Sequence, residues 1–208
     1  MKTVYNICYC IIWPAFKLLY RIRTEGRENI PTGAAVVCSN HSSMSDPFLI
    51  ALAFTRRHQL HFMSKIEIKR WPVVGWILEK AGVFYVDRGK SDVSAIKTAL
   101  KYLRGNRKIM MFPEGTRIKE DEASDAKKGA IMLAMRTGSP VVPVYVPKTK
   151  KLFHTTTIVI GAAYNVAGKD GKAAPEDYRA MAAELMDKIN SLKPEHVKKN
   201  ETEAREKK

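Results

Sequence analysis

Short, almost continuous apolar runs recur along the chain, each bounded by turn-forming or polar residues. Runs of this kind are typical of strands that are buried on both faces of a sheet. We predict strands in the segments AAVVCSN (34–40), LHFMSK (60–65), VFYV (83–86), KIMMF (108–112), VVPVYV (141–146) and TTTIVIG (155–161).

Segments with a helical spacing of apolar residues separate several of these runs. Val93, Ile96, Leu100 and Leu103 fall on one helical face, and Ser91 ahead of them is the expected N-cap. Comparable patterns predict helices over residues 4–20, 47–54, 126–138 and 175–192. The segment RWPVVGWILEKAG (70–82) is predicted to be an apolar, turn-rich connection.

This alternation of strands and helices predicts an α/β fold with a mixed, partly parallel sheet flanked by helices. At 208 residues, the chain is expected to form one globular unit. We predict a membrane-associating N-terminal helix over residues 1–23, one domain over 24–192 and a charged, flexible tail over 193–208.

The N-terminal apolar run is interrupted by Asn6, Pro14 and Lys17. At about 1.5 Å per residue its helix is shorter than the roughly 30 Å hydrocarbon core of a bilayer, so a clean span is not expected. A signal peptide also fits poorly, because no small-residue cleavage site follows. Trp13 and Tyr20 suit a bilayer boundary, and we expect a retained helix that lies in the interface. The alternative is a helix docked on its own domain.

The chain carries a formal net charge of +15 at pH 7. Such a charge indicates an anionic partner: nucleic acid, an acidic membrane surface or a phosphorylated substrate. No nucleic-acid-binding motif surrounds the lysines, so nucleic acid is not expected. The three cysteines, Cys8, Cys10 and Cys38, lack metal-ligand spacing, and we expect neither a metal site nor a disulfide framework.

His41 and Asp46 are five residues apart in the stretch that follows the first predicted strand. In a regular helix they would lie on different faces, but Pro47 disfavours helix at Asp46 and makes that residue a natural N-cap. In such a bend the carboxylate can take one ring N–H of His41 and leave the other nitrogen to act as a base. The alternative is that Asp46 only caps the helix and His41 is a polar loop residue.

A second stretch, FPEGTR at residues 112–117, directly follows a predicted strand. Exposed amides and a guanidinium in one turn can hold a phosphate group. The alternative is an ordinary turn from strand to loop.

With these stretches, the sequence resembles the glycerolipid acyltransferase family typified by 1-acyl-sn-glycerol-3-phosphate acyltransferase. Residues 30–147 carry the likeness, and "FMSKIEIKRWPVVGW" resembles the family's linking segment. Four blocks occur in the family's order: Asn40 and His41 with Asp46, GVFYVDR (82–88), FPEGTR (112–117), and Val142, Pro143 and Val144. One departure is Tyr85, where the family more often carries phenylalanine.

The resemblance implies that His41 is the general base for the sn-2 hydroxyl of lysophosphatidic acid and that Asp46 orients the imidazole. It assigns substrate binding to Lys65, Arg88, Glu114, Gly115, Thr116 and Arg117. Three of these have structural alternatives: a solvated strand-edge lysine for Lys65, an ion pair for Arg88 and a buried arginine partner for Glu114.

The resemblance implies that acyl-CoA or an acyl carrier protein thioester is the co-substrate, without a cofactor. The expected partners are lysophosphatidic acid, the acyl donor and an anionic membrane surface, at the cytoplasmic face of the cell membrane. Alternatives are another lysophospholipid or glycerol-3-phosphate as acceptor, a hydrolase with Ser42 or Ser43 as nucleophile, and a non-catalytic binder of anionic lipid. The absence of a Gly-x-Ser-x-Gly elbow disfavours the hydrolase.

Overall fold

The computed structural model describes residues 2–87, 92–113, 120–166 and 175–195, with the side chains of 120–127 and 175–176 outside that description. The helices are α1 (Lys2–Tyr20), α2 (Asp46–Phe54), α3 (Ile66–Lys69), α4 (Pro72–Ala81), α5 (Val93–Arg104), α6 (Glu120–Thr137) and α7 (Pro175–Ser191), with a 3₁₀ turn at Arg27–Asn29. The strands are β1 (Ile22–Glu25), β2 (Ala35–Ser39), β3 (Leu60–Lys65), β4 (Phe84–Val86), β5 (Lys108–Met111), β6 (Val141–Tyr145) and β7 (Thr156–Ile160).

These seven strands form one sheet in the order β1-β7-β6-β2-β5-β3-β4. Strand β2 lies at its centre and pairs in parallel with both β5 and β6. Strands β3 and β4 continue in the same direction, whereas β7 is antiparallel to β6 and β1 is parallel to β7. The predicted mixed, partly parallel α/β sheet is confirmed.

The sheet is buried on both faces, where two clusters of apolar side chains pack against it. Side chains of successive residues in a strand point to opposite sides, so one strand can contribute to both clusters. In β2, Ala35 and Val37 pack in the cluster that also contains side chains of α1 and α2. Val36 and Cys38 pack in the second cluster, with side chains of α5, α6 and α7. All five residues of β2 are buried, which explains its continuous apolar run.

Two sequence predictions are wrong in detail. The segment predicted as a turn-rich connection forms helix α4, since Pro72 occupies the first helical turn and Gly82 ends the helix in a left-handed conformation. The N-cap of α5 is Asp92, whose side chain accepts a hydrogen bond from the Ala95 amide. Strand β1 has no counterpart among the predicted strands, because IRTE shows no apolar run.

Helix α1 packs against α2 and α4. Tyr5 is buried, whereas Ile11 and Leu18 are about 70% exposed. No helix in the described part of the chain combines the length and apolar character needed to cross a membrane. The predicted association of α1 with a membrane stays a proposal.

Gly82 joins α4 to β4 with φ +97°, and an added Cβ would lie 2.6 Å from Nδ1 of His61. His61 is buried and its ring stacks on Tyr102. Nδ1 of His61 lies 2.9 Å from the Gly82 carbonyl oxygen. Burial lowers the pKa of His61, which favours the neutral ring as donor to that carbonyl.

We predict that Gly82→Ala destabilises the fold by more than the about 1–2 kcal/mol that a left-handed conformation costs a non-glycine residue, because the new Cβ also displaces the His61 ring. The matched control is Gly138→Ala, at φ +62° with no atom within 4 Å of the added Cβ. Urea unfolding measures both variants. Equal losses would contradict a role for the His61 contact.

Candidate active site at the carboxyl edge of the sheet

The carboxyl ends of β2, β3, β4, β5 and β6 lie at one edge of the sheet, because these strands run in the same direction. In open α/β sheets this edge is where ligand sites form. His41 follows β2, Phe112 follows β5 and Lys65 ends β3. The topology therefore gathers three of the segments singled out in the sequence.

His41 and Asp46 are in direct contact. Nδ1 of His41 lies 2.9 Å from Oδ2 of Asp46. The His41 side chain is 26% exposed, and the Asp46 side chain is fully buried. The structure thus places a solvent-accessible imidazole on a carboxylate that is shielded from water.

Asp46 is the first residue of α2 rather than its N-cap, so that prediction is wrong. Ser45 occupies the N-cap position and makes no side-chain capping bond. The Asp46 carboxylate turns back to the preceding loop instead, where its Oδ2 accepts hydrogen bonds from the Ser42 and Ser43 amides at 2.7 and 2.8 Å. The loop is therefore folded around the carboxylate.

Lys150, in the connection from β6 to β7, also reaches this carboxylate. Its Nζ lies 2.8 Å from Oδ1 of Asp46 and 2.9 Å from Oγ of Ser42. Lys150 is not among the site residues predicted from the sequence, because it stands in the basic run PKTKK, which has the appearance of a solvated loop.

Burial alone would raise the pKa of Asp46. Hydrogen bonds from His41, Lys150 and the two serine amides outweigh it, and the net effect lowers the pKa of the carboxyl group. Asp46 is therefore ionised at neutral pH and can stabilise positive charge on the imidazole.

Asn40 anchors the start of the loop. Its Nδ2 donates to the Val146 carbonyl at 2.6 Å, and its Oδ1 accepts from the Val146 amide at 2.9 Å. Asn40 is buried, and Val146 follows β6 directly. This two-bond clamp ties the block that contains His41 to the Val-Pro-Val strand.

Phe112 joins a third block to the site. Its ring stacks on His41 with a centroid distance of 4.1 Å and an interplanar angle of 22°. The first residue of FPEGTR therefore fixes one face of the imidazole. Four predicted substrate-binding residues of this block lie outside the described residues: Glu114, Gly115, Thr116 and Arg117.

Lys65 ends β3 at the same edge and is half-buried. Arg88 lies outside the described residues. Tyr85, the departure from the family pattern, donates its hydroxyl to the Gly75 carbonyl at 2.9 Å, so its polar atom has a partner within the fold. The structure thus places Lys65 on the edge that carries His41 and leaves the other phosphate-binding predictions untested.

The serine hydroxyls beside His41 have contacts of their own. Ser42 Oγ accepts a hydrogen bond from the Lys150 ammonium group and donates to the Lys148 carbonyl at 3.4 Å. Ser43 Oγ lies 3.0 Å from Ser45 Oγ. The Ser42 and Ser43 amides are engaged by Asp46, so neither is available as an oxyanion donor in this conformation. Within the described ranges, no group of three or more potential metal ligands occurs.

The fold and site define an α/β protein with a buried-carboxylate His–Asp pair at the carboxyl edge of its sheet. The chain belongs to the acyltransferase family, whose model matches residues 21–147. This confirms the resemblance seen in the sequence.

Two curated relatives and one solved structure illustrate the match. The chloroplastic 1-acyl-sn-glycerol-3-phosphate acyltransferase of Arabidopsis thaliana is 34% identical over 69% of this chain and 41% of its own length. The Bacillus subtilis 1-acyl-sn-glycerol-3-phosphate acyltransferase is 28% identical over 91% of this chain and 96% of its own. The 1-acyl-sn-glycerophosphate acyltransferase structure from Thermotoga maritima shares the fold with a TM-score of 0.61, at 23% identity, covering 92% of this chain and 76% of that one. The chain spans about half the length of the first curated relatives it matches.

We predict that Asn40→Ala lowers the free energy of unfolding by about 2–4 kcal/mol, because it leaves the buried amide and carbonyl of Val146 without partners. The control is Asn29→Ala, which removes a single, partly buried bond to the Ile160 carbonyl. Denaturant unfolding compares the two. A loss for Asn40→Ala no greater than the control's would contradict the clamp.

Proposed function

We propose that this protein transfers a fatty acyl group from a thioester to the sn-2 hydroxyl of lysophosphatidic acid, which gives phosphatidic acid. The observation that carries the proposal is His41 held by the buried Asp46 in a chain of the acyltransferase family. The relatives' names supply the substrate, and the Bacillus enzyme resembles this chain over nearly its whole length.

In the proposed reaction, Nδ1 of His41 stays bound to Asp46 and Nε2 accepts the proton of the acceptor hydroxyl. The hydroxyl oxygen attacks the thioester carbonyl and forms a new C–O bond. The C–S bond then breaks, and the leaving thiolate takes the proton from the imidazolium. No acyl-enzyme is formed, so the serine hydroxyls need not act as nucleophiles.

The ionised carboxylate of Asp46 stabilises the imidazolium while it holds the proton. Phe112 supports this step by stacking on the ring, which limits its rotation. The same two contacts keep Nε2 in one direction during transfer.

For the acceptor's phosphate we propose Lys65 and Arg117, and we propose further substrate contacts from Arg88, Glu114, Gly115 and Thr116, as the family resemblance implies. Lys65 lies on the edge that carries His41, and an ammonium there suits a phosphate. The donor is acyl-CoA or an acyl carrier protein thioester, and the proposed reaction requires no cofactor.

We also propose that α1 and α4 rest on an anionic membrane surface at the cytoplasmic face. The two helices pack together. With Trp71, the N-cap of α4, they expose a set of large apolar side chains: Ile7, Ile11, Trp13, Leu18, Trp71, Val73, Val74 and Trp76. The net charge of +15 favours anionic lipid. Both the acceptor and the product are lipids, so a docked enzyme would meet them at the bilayer.

The direct test is thiol release from acyl-CoA and from an acyl carrier protein, with and without lysophosphatidic acid. We expect release that depends on the acceptor and falls by roughly 10²–10⁴-fold in His41→Ala, because the general base is lost. The control is His154→Ala, an exposed histidine bound to its own loop. Release without acceptor would indicate a thioesterase, and release only with glycerol-3-phosphate or another lysophospholipid would replace the acceptor.

Lys65→Met is expected to raise the KM for lysophosphatidic acid by roughly 10–100-fold, since a hydrogen bond to a charged group contributes roughly 1.5–3 kcal/mol. The KM for the acyl donor should stay unchanged. Steady-state kinetics with Lys101→Met, an exposed lysine on α5, as control measures both constants. An unchanged acceptor KM would remove Lys65 from the phosphate site.

Replacement of Trp71 and Trp76 by serine is expected to weaken binding to phosphatidylglycerol-containing vesicles by at least roughly tenfold, because burial of each large apolar side chain contributes roughly 1.5–3 kcal/mol. Vesicle sedimentation measures the partition. Val93→Ser is the control, since Val93 is 57% exposed on α5, which packs on the other face of the sheet from α1. Equal partition of both variants would contradict this docking surface.

A further inference from the structure

The position of Lys150 is unusual for a lysine in a surface connection. Its neighbours Lys148 and Lys151 are exposed, whereas the Lys150 side chain is only 4% exposed. A lysine normally keeps its ammonium group in water, and its burial is costly unless the charge is paired. Here the charge forms an ion pair with Asp46, and the ammonium group donates a hydrogen bond to the Ser42 hydroxyl.

The two oxygens of Asp46 have separate tasks. Oδ2 takes His41 and the amides of Ser42 and Ser43, whereas Oδ1 takes Lys150. Rotation of the carboxylate would break the hydrogen bonds at Oδ2 or the ion pair at Oδ1. Lys150 therefore fixes the plane in which Oδ2 meets the imidazole.

The connection that carries Lys150 is itself fastened to the His41 loop. Asn40 clamps Val146 at its start, and the Ser42 hydroxyl lies within 3.4 Å of the Lys148 carbonyl. These contacts hold the connection after β6 beside the loop that precedes α2, and Lys150 thereby reaches Asp46. The ion pair between Lys150 and Asp46 therefore joins two segments that are far apart in the sequence.

We propose that Lys150 is a positioning residue for acyl transfer, which holds the Asp46 carboxylate and through it the orientation of His41. This inference rests on the proposed function of the same site. Lys150 contributes no contact to the substrate in this role. A substrate-binding lysine would act on the acceptor KM, whereas a positioning lysine acts on kcat.

The test is a double-mutant cycle in the full chain, with Lys150→Met, Asp46→Asn and both together. We expect Lys150→Met to lower kcat by roughly 10–100-fold with both KM values within about threefold, as for a group that acts on the transition state. Lys150→Arg, which keeps the charge, should recover most of the loss. In the Asp46→Asn background, Lys150→Met should have little further effect, because the lysine then has no carboxylate to hold.

Lys151→Met, the exposed neighbour, is the matched control and should keep the wild-type kcat. Circular dichroism and thermal unfolding establish that each variant is folded. The double variant removes both buried charges, so it remains informative if Lys150→Met alone unfolds.

A second readout does not need substrate. The downfield proton resonance of the His41 Nδ1–H bound to Asp46 should shift or vanish in Lys150→Met and persist in Lys150→Arg and Lys151→Met. An unchanged resonance in folded Lys150→Met would overturn the inference. So would a wild-type kcat, a rise in the acceptor KM alone, or additive effects in the cycle. Absence of transfer in the wild type would overturn the proposed function instead, and the resonance alone would then decide the role of Lys150.

Discussion

The site depends on one buried carboxylate. Asp46 is removed from water, and four groups surround it. The His41 ring and two backbone amides contact Oδ2 within hydrogen-bond distance, and the Lys150 ammonium group forms an ion pair with Oδ1. A buried carboxylate is stable only when its oxygens are paired in this way. These groups come from the loop before α2 and from the connection after β6, whereas Asp46 itself begins α2. The contacts of Asp46 therefore hold these three segments together.

The central sheet places these segments within reach. Strand β2 is paired in parallel on both sides, so the chain leaves it at the edge where β5 and β6 also end. Asn40 forms two hydrogen bonds with the backbone of Val146. Phe112 directly follows β5, and its ring stacks on His41. Motifs that are distant in sequence therefore form one site through the common direction of the strands, the Asn40–Val146 clamp and the stacking of Phe112 on His41.

Much of the fold was predictable from local pattern. Strands such as β2 and β6 are buried on both faces and show as continuous apolar runs. Strand β1 is short and not continuously apolar, and α4 contains a proline and a glycine that suggested a turn. In α4 the proline occupies the first helical turn, which tolerates proline. The position of a helix-breaking residue therefore decided whether a helix formed, more than its presence did.

The site was predictable only in part. The spacing of His41 and Asp46, together with Pro47, indicated that the two side chains could meet, and the structure brings them together. Spacing could not show that the carboxylate faces back into its own loop, or that Lys150 completes it. The contacts with the loop depend on the exact backbone path over three residues. The contact with Lys150 depends on the register between β2 and β6, and local sequence carries no signal for such long-range pairing.

The most direct test of this account is the tautomer of the His41 ring, measured by ¹⁵N NMR of the labelled imidazole in the wild type and in Asp46→Asn. The account predicts a proton on Nδ1 in the wild type, since that nitrogen donates to Asp46 at 2.9 Å, and a loss of this preference in the variant. A wild-type ring with its proton on Nε2 would contradict the account, because that nitrogen could not then accept the acceptor's proton.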